Sequence, residues 1–570
     1  MQVNQTRPKR KPALKAKYVS PNQLRLEGYQ TPYEQQLTTE NRWVQLAGLI
    51  PWDSLVPYYE QTFTSKEGRP PVNGRVVIGA LVIKHYLNIT DRETIQQIRE
   101  NMFMQYFLGY SSFTNEAPFS PTLFVSMRER LNLELMNKIT DVVILHGEKS
   151  TSEKNPKSLE KDVENDKPDQ DKSNQVPLEV SSETKQEEAK ITHQGRMIVD
   201  ASVAPQNITY PTDLKLIDAA RKKSEELIDR LYHKSVHGNQ KARTYREIAK
   251  KKFINLAKKK NKTAKEIYKA NGQQIRYLKR NVSYIDRYIK ELRESNIEIP
   301  LKKKHWQYLE TIQEVHRQQW EMHRTKTHRI DNRIVNIHQP YVRPIVRGKD
   351  SVKVEFGSKL QVTLLNGFSY IDKLSWDPFN EGITLLSAVE QYKNKFGFYP
   401  KEVLADKIYA NRANRSQLKL IGINFKAKPL GRPSQNGALA NHVSPGERNP
   451  IEGKFGQAKV AYGLDNIRAK LQTTSESWIA TIFLVLNLLN LVRRSTLLSN
   501  LINLFQSLGK SILINNGGRY LFYTSSLRAT PNYFANWFVQ YIRMRKYDHF
   551  EYKIHHPRII SRLFKVNQNN

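Results

Sequence analysis

Between Glu148 and Lys190 the chain carries 12 Asp or Glu and 8 Lys, but no Arg and no aromatic residue. A stretch this charged buries too little apolar surface to offset the entropy lost on ordering it. Whatever folds is therefore divided into a part before and a part after, and residues 147–190 are expected to form a disordered acidic and lysine-rich linker. Before it, residues 39–146 read as helical. Arg75 to Leu87 is an apolar helix, and Thr90 with Glu93 three residues on has the capping-box spacing that opens another through Ile95 and Ile98. Ser120-Pro121 puts a proline at a first helical position ahead of the stripe Leu123, Phe124, Met127, Leu131. Residues 1–38, basic and interrupted by prolines, read either as an arm lying along phosphates or as an unstructured terminus.

Charge narrows the partner. Over 570 residues, 91 Lys and Arg stand against 55 Asp and Glu, a formal +36, which suits a polyanion: nucleic acid or an anionic membrane. The membrane reading fares poorly, because the longest apolar run, Trp478 to Val492, is 15 residues long and includes Asn487 and Asn490, whereas a spanning helix needs about 20. It reads as a buried helix. The basic N-terminus lacks a secretory apolar stretch, so the expectation is a soluble intracellular protein. With no cysteine, disulfides and thiolate-held metals are excluded, and any metal must sit on oxygen or histidine nitrogen.

Residues 221–340 hold 31 Lys and Arg against 13 Asp and Glu, a balance of +18. Leu278, Val282, Ile285, Ile289 and Leu292 alternate steps of four and three there, the pattern of a long amphipathic helix with a basic outer face.

Around this block the pattern is one of strands. MIVDASVAPQ places Asp200 in or at the end of a buried strand, where a carboxylate is costly without a partner. VEFGSKLQVTLLNGFSYIDKLSW reads as two strands joined at Asn366-Gly367. Leu385 to Phe396 is helical, EVLADKIY is a short strand ending at Asp406, and a helix and the strand INFKAKP follow. In the helix of RNPIEGKFGQAKVAYG, with Pro450 in its first turn, Arg448, Glu452 and Lys459 stand at i, i+4 and i+11, within one narrow stripe. That stripe suits a carboxylate for metal flanked by cations for phosphate; on an isolated helix it would be an ordinary surface ion pair. Asp213 and Asp218 read as capping or solvated groups, and Asp372 and Asp377 as exposed or turn-forming.

Taken in order, these segments resemble the insertion-sequence transposases of the DDE type. The resemblance runs from PPVNGRVVIGALVIKHYLNITDRETIQQIRENMFMQYFLGY to about Leu491. Its most specific pieces are VDASVAPQNITYPTDL, NIHQPYVRPIVRGK, DKLSWDPFNEG, ADKIYANRANR and the last helix. Arg448, Glu452 and Lys459 fit the Arg, Glu and Lys of that family's signature, while Pro445 stands where its tyrosine would.

The resemblance implies an α/β fold: a ribonuclease H-like catalytic domain over 191–498, interrupted by a basic helical insertion at 221–349. An all-α DNA-binding domain at 39–146 precedes it, and an aromatic and basic region, 499–570, follows. It implies DNA cleavage at terminal inverted repeats and strand transfer into target DNA, in a homo-oligomer that holds both element ends. Asp200, Asp406 and Glu452 would bind two Mg2+ ions, for which Mn2+ can substitute. Arg448, Lys459, Lys407, Arg412, Arg343 and Arg347 would contact DNA. Two other readings keep parts of this picture: a metal-dependent nuclease that stops at cleavage, and a DNA-binding protein that has lost its chemistry.

Overall fold

A computed structural model describes residues 37–63, 70–153, 193–346, 354–428 and 445–514. Those up to His146 and from His193 to Val492 form one compact unit; the helix ends Gly147–Glu153 and Arg493–Ile514 belong to a second.

Among the described residues seven helices come first: α1 (Arg42–Leu49), α2 (Trp52–Glu60), α3 (Gly74–Leu87), α4 (Asp91–Glu100), α5 (Met102–Phe107), α6 (Leu123–Arg130) and α7 (Leu133–Glu153). Thr90 caps α4 as its spacing predicts, its side chain accepting from the Glu93 N–H. Helix α6 begins later than Pro121, because Ser120 to Thr122 form a turn ahead of it. Helix α7 continues to Glu153, past the expected start of the linker; the rest of the linker lies outside the described residues.

The helical region shares its core with a late element. In α16 (Gln472–Ile514), Ala480, Leu484, Val485 and Leu488 pack with Trp43, Trp52, Phe107 and Phe124, while Ile479, Ile482, Phe483 and Leu486 pack on the sheet. Trp478 takes the Lys84 ammonium and the Arg128 guanidinium near its ring, and both cations pair with Asp91. The apolar run is thus the buried helix expected of it, serving two layers at once.

The sheet is built from β1 (Arg196–Pro205), β2 (Arg343–Val346), β3 (Val354–Leu365), β4 (Phe368–Ser375), β5 (Glu402–Ala405) and β6 (Asn424–Lys426). Its order is β4-β3-β1-β5-β6, with β2 also paired to the edge of β3. The β1-β3-β4 part is antiparallel, and β5 and β6 continue parallel to β1. Asn366 and Gly367, both at positive φ, make the expected hairpin turn between β3 and β4. Helices α13 (Leu385–Phe396) and α14 (Arg412–Ile421) cover one face; α15 (Pro445–Val460) and α16 cover the other. Since α15 starts at Pro445, Pro450 lies inside it and not in its first turn.

Between β1 and β2 runs the helical block α8 (Asp213–Leu231), α9 (Lys234–His237), α10 (Arg246–Lys258), α11 (Ala264–Glu294) and α12 (Lys303–Thr325). Leu278, Ile285, Ile289 and Leu292 are buried against α8 and α12, the face their spacing predicts. The block's own core begins at Leu216 and Ile217, ahead of residue 221, because α8 packs as one helix. Asp218 is not solvated: it is 3% exposed and lies 2.6 Å from the buried Arg221. Residues 1–36 and 515–570, most of the expected arm and C-terminal region, lie outside the described residues.

Candidate active site

Alternation along two neighbouring strands places two of the acids. On β1, Met197 and Val199 face the α13 and α14 side, while Ile198 faces α15 and α16. Asp200, two residues beyond Ile198, shares the latter face. On β5, Ala405 is buried on the α13 side and Leu404 on the α15 side, so Asp406 follows Leu404. Val199 pairs in parallel with Ala405; one residue further along each strand, Asp200 and Asp406 stand side by side.

Helix α15 brings the third. Ile451, Phe455 and Ala458 bury one stripe of it against Ile198 and Leu404. Arg448 and Glu452, each three residues before a member of that stripe, flank it toward the strand ends. Arg196 at the start of β1 ties the helix down, 2.8 Å from Glu402 of β5 and 2.9 Å from Glu447 of α15.

The three acids meet at one cation. The Arg448 guanidinium stands 3.2 Å from Asp200 Oδ2, 3.2 Å from Asp406 Oδ1 and 4.0 Å from Glu452 Oε1. Side-chain exposure rises from 17% at Asp200 to 51% at Asp406 and 62% at Glu452, so the cluster opens to solvent on the Glu452 side. Asp200 also accepts from the Ala201 N–H at 2.8 Å. Burial nevertheless pushes its carboxyl up to about 6; the Ala201 bond and Arg448 oppose that shift, while Asp406 and Glu381 add to it.

Glu381 is a fourth acid, which pattern reading did not single out although DPFNEG was in view. Lys359 of β3 holds it at 2.8 Å. The adjoining Gly382 is clamped to the segment after Asp406: its carbonyl accepts from Asn411 and Asn414 at 2.9 and 2.7 Å, and a Cβ there would come 2.8 Å from the Ile408 carbonyl. Tyr409, in the turn after Asp406, is fully buried, and its hydroxyl has no hydrogen-bond partner among the described residues. Burial first, then the carboxylates of Glu381, Asp200, Asp372 and Asp406, raises its pKa.

The other expected residues divide. Lys407 and Arg412 are exposed just beyond Asp406, and Lys459 is half-buried further along α15. Arg343 is turned to its own loop, 3.1 Å from Asp377 and bonded to the Pro340 carbonyl, because β2 pairs along the edge of β3 and folds that side chain inward. Arg347 lies outside the described residues. Asp372 is not an exposed turn group: it accepts from the Thr363 hydroxyl at 2.6 Å, and burial pushes it up to about 7. Thr363 sits opposite Val199, which places Asp372 on the sheet face away from the three acids. Among the described residues, no three acids or histidines are gathered closely enough to hold a metal ion as they stand; a guanidinium stands between them.

Known proteins supply a class for this arrangement. Residues 31–130 match a transposase domain (DUF772), and residues 403–489, which contain Asp406, Arg448, Glu452 and Lys459, match a transposase DDE domain. Each match covers a part of the chain, and together the two support an insertion-sequence DDE transposase. It is also 24% identical over 211 residues to an uncharacterised protein, ORF8 in the nfe locus of Rhizobium meliloti, an alignment covering 37% of this chain and 81% of that protein. No solved structure matches it.

Proposed function

We propose that this transposase cuts phosphodiester bonds at the terminal inverted repeats of its element and joins the freed ends to target DNA, with Asp200, Asp406 and Glu452 as its metal-binding acids. One observation carries the reading: three carboxylates from β1, from the end of β5 and from α15 converge on a single cation. The strand order, antiparallel β3 and β4 on one side of β1 and parallel β5 and β6 on the other, supports a ribonuclease H-like catalytic domain.

The donor set fits Mg2+, which favours carboxylates, waters and phosphate oxygens. Two such ions would stabilise the charge that develops on the attacking and departing oxygens. The chain's own groups do the rest. The Ala201 N–H and the parallel register hold Asp200 beside Asp406, and the ion pairs of Arg196 fix α15, which brings Glu452 to the same guanidinium. Lys407, Arg412 and Lys459 would hold DNA phosphates near the acids. In cleavage, a water oxygen attacks phosphorus and the 3′ oxygen leaves; in joining, that 3′ oxygen attacks a target phosphorus and displaces the target's 3′ oxygen. The basic helical block would grip duplex backbone, the N-terminal helices would bind element ends, and a homo-oligomer working on cytoplasmic DNA would pair the ends.

Purified protein, a labelled element end, a target plasmid and Mg2+ should give joined product. Asp200→Ala should bind ends normally and yield none. Cut ends without joining would make the protein a nuclease, and unchanged activity of Asp200→Ala would sink the site.

A further inference from the structure

We propose that Arg448 is a place-holder cation: it holds the three acids together without metal, and metal binding expels it onto DNA, which couples the two binding events. The inference rests on the metal-binding role given above to Asp200, Asp406 and Glu452.

Without a cation between them, three carboxylates gathered within reach of one guanidinium repel one another, the more so because Asp200 is largely out of water. Arg448 relieves this with two nitrogens, Nη2 toward Asp200 and Glu452 and Nη1 toward Asp406. The same position cannot hold both cations. Mg2+ draws its oxygens to about 2.0–2.1 Å, a shell with no room for a guanidinium between them, and the like charges would repel. Exchange is therefore exclusive.

Two features say where the displaced group goes. Arg448 Nε is buried without a hydrogen-bond partner among the described residues, so the resting pose leaves this donor unused. Nε and an Nη together form the fork that takes two oxygens of one phosphate, a pairing that the split between Asp200 and Asp406 does not provide. Glu452, four residues on along α15, marks the open side of the cluster, so the side chain can turn that way without moving the helix. Metal binding then frees the fork, and a DNA phosphate that captures it removes the metal's competitor. By linkage each ligand strengthens the other by the same factor.

The test measures Mn2+ binding to the full-length protein by calorimetry, with and without a duplex carrying the element end, in wild type, Arg448→Gln, Arg448→Lys and Asp406→Asn. Arg448→Gln without DNA should bind Mn2+ about tenfold more tightly than wild type, within the range of about 5–150-fold usual for coupled sites. DNA should tighten Mn2+ binding more in wild type than in Arg448→Gln, where only direct ligation of the metal by phosphate oxygens remains. Thermal melts should show the metal-free glutamine variant less stable than wild type and restored by Mn2+. Should that variant fail to fold, Arg448→Lys, which cannot span three acids, should also gain Mn2+ affinity. Affinity in a folded variant equal to or below that of wild type would overturn the exchange and leave the site assignment standing. Unchanged Mn2+ binding in Asp406→Asn would instead overturn the site assignment, and the exchange with it.

Discussion

At the strand ends three carboxylates share one guanidinium, whereas around α10 of the inserted block Lys250, Lys251, Lys258, Lys260 and Lys262 stand exposed with no carboxylate in ion-pair reach among the described residues. On α11 and α12 some of the cations are answered, Arg287, Lys290 and Arg317 being paired to glutamates on their own helices. Surplus positive charge in the block is densest on α10 and the turn that follows. Surplus negative charge in the sheet is concentrated where a metal would sit. Each region keeps uncompensated the sign of charge that its ligand would neutralise: phosphate at one, divalent cations at the other.

The comparison can be broken most forcibly inside the block. Arg221, 1% exposed, pairs with Asp218 and Glu225, so Arg221→Leu takes the guanidinium from Glu225 and leaves Asp218 with the exposed Lys222 alone. A loss of about 3–5 kcal/mol is expected. Urea unfolding measures it, and a near-neutral result would mean that the block's interior does not depend on matched charge as the acid cluster does.

A milder change sharpens the contrast at the surface. Replacing Lys250, Lys251, Lys258 and Lys260 together by Gln should flatten the salt dependence of DNA binding by about 3 to 4 in log-log slope, each phosphate contact being worth about 0.9. The loss should be equal for element ends and unrelated duplex. A loss confined to element ends would instead make α10 a sequence reader.

The smallest expected effect concerns Asp372. Its folded pKa, about 7, lies above the ordinary 3.8, so the folded protein binds the extra proton across that window and loses stability as pH rises through it. Asp372→Asn imitates the protonated form. It should melt a few degrees above wild type at pH 8 and level with it near pH 4. Equal melting at both would show that the buried sheet tolerates this charge, unlike the cluster on its opposite face.

Much of this was legible in the chain. Helix α13 falls on Leu385–Phe396 as its pattern predicts, the Asn366-Gly367 turn forms, Thr90 caps α4, and Asp200, Asp406 and Glu452 come to one place. These follow from periodicity, turn chemistry and ordered motifs, all of which are local. What escaped was partnership. Asp218 and Asp372 read as solvated because nothing near them in sequence marks Arg221 as buried or Thr363 as the neighbour across a strand pair. Glu381 carried no helical or strand pattern, and Arg343 looked like a free cation until β2 settled on the edge of β3.

By itself, the sequence determined which segments are helix and strand, where charge accumulates and which acids are chemically eligible, because backbone propensity and side-chain spacing act over a few residues. Only the tertiary structure decided that Arg448 faces the acids it was expected merely to flank, and that α16 joins the helical region to the sheet through Trp478 and its neighbours. Both depend on residues far apart in the chain meeting in a shared low-dielectric space, where burial fixes which charge answers which.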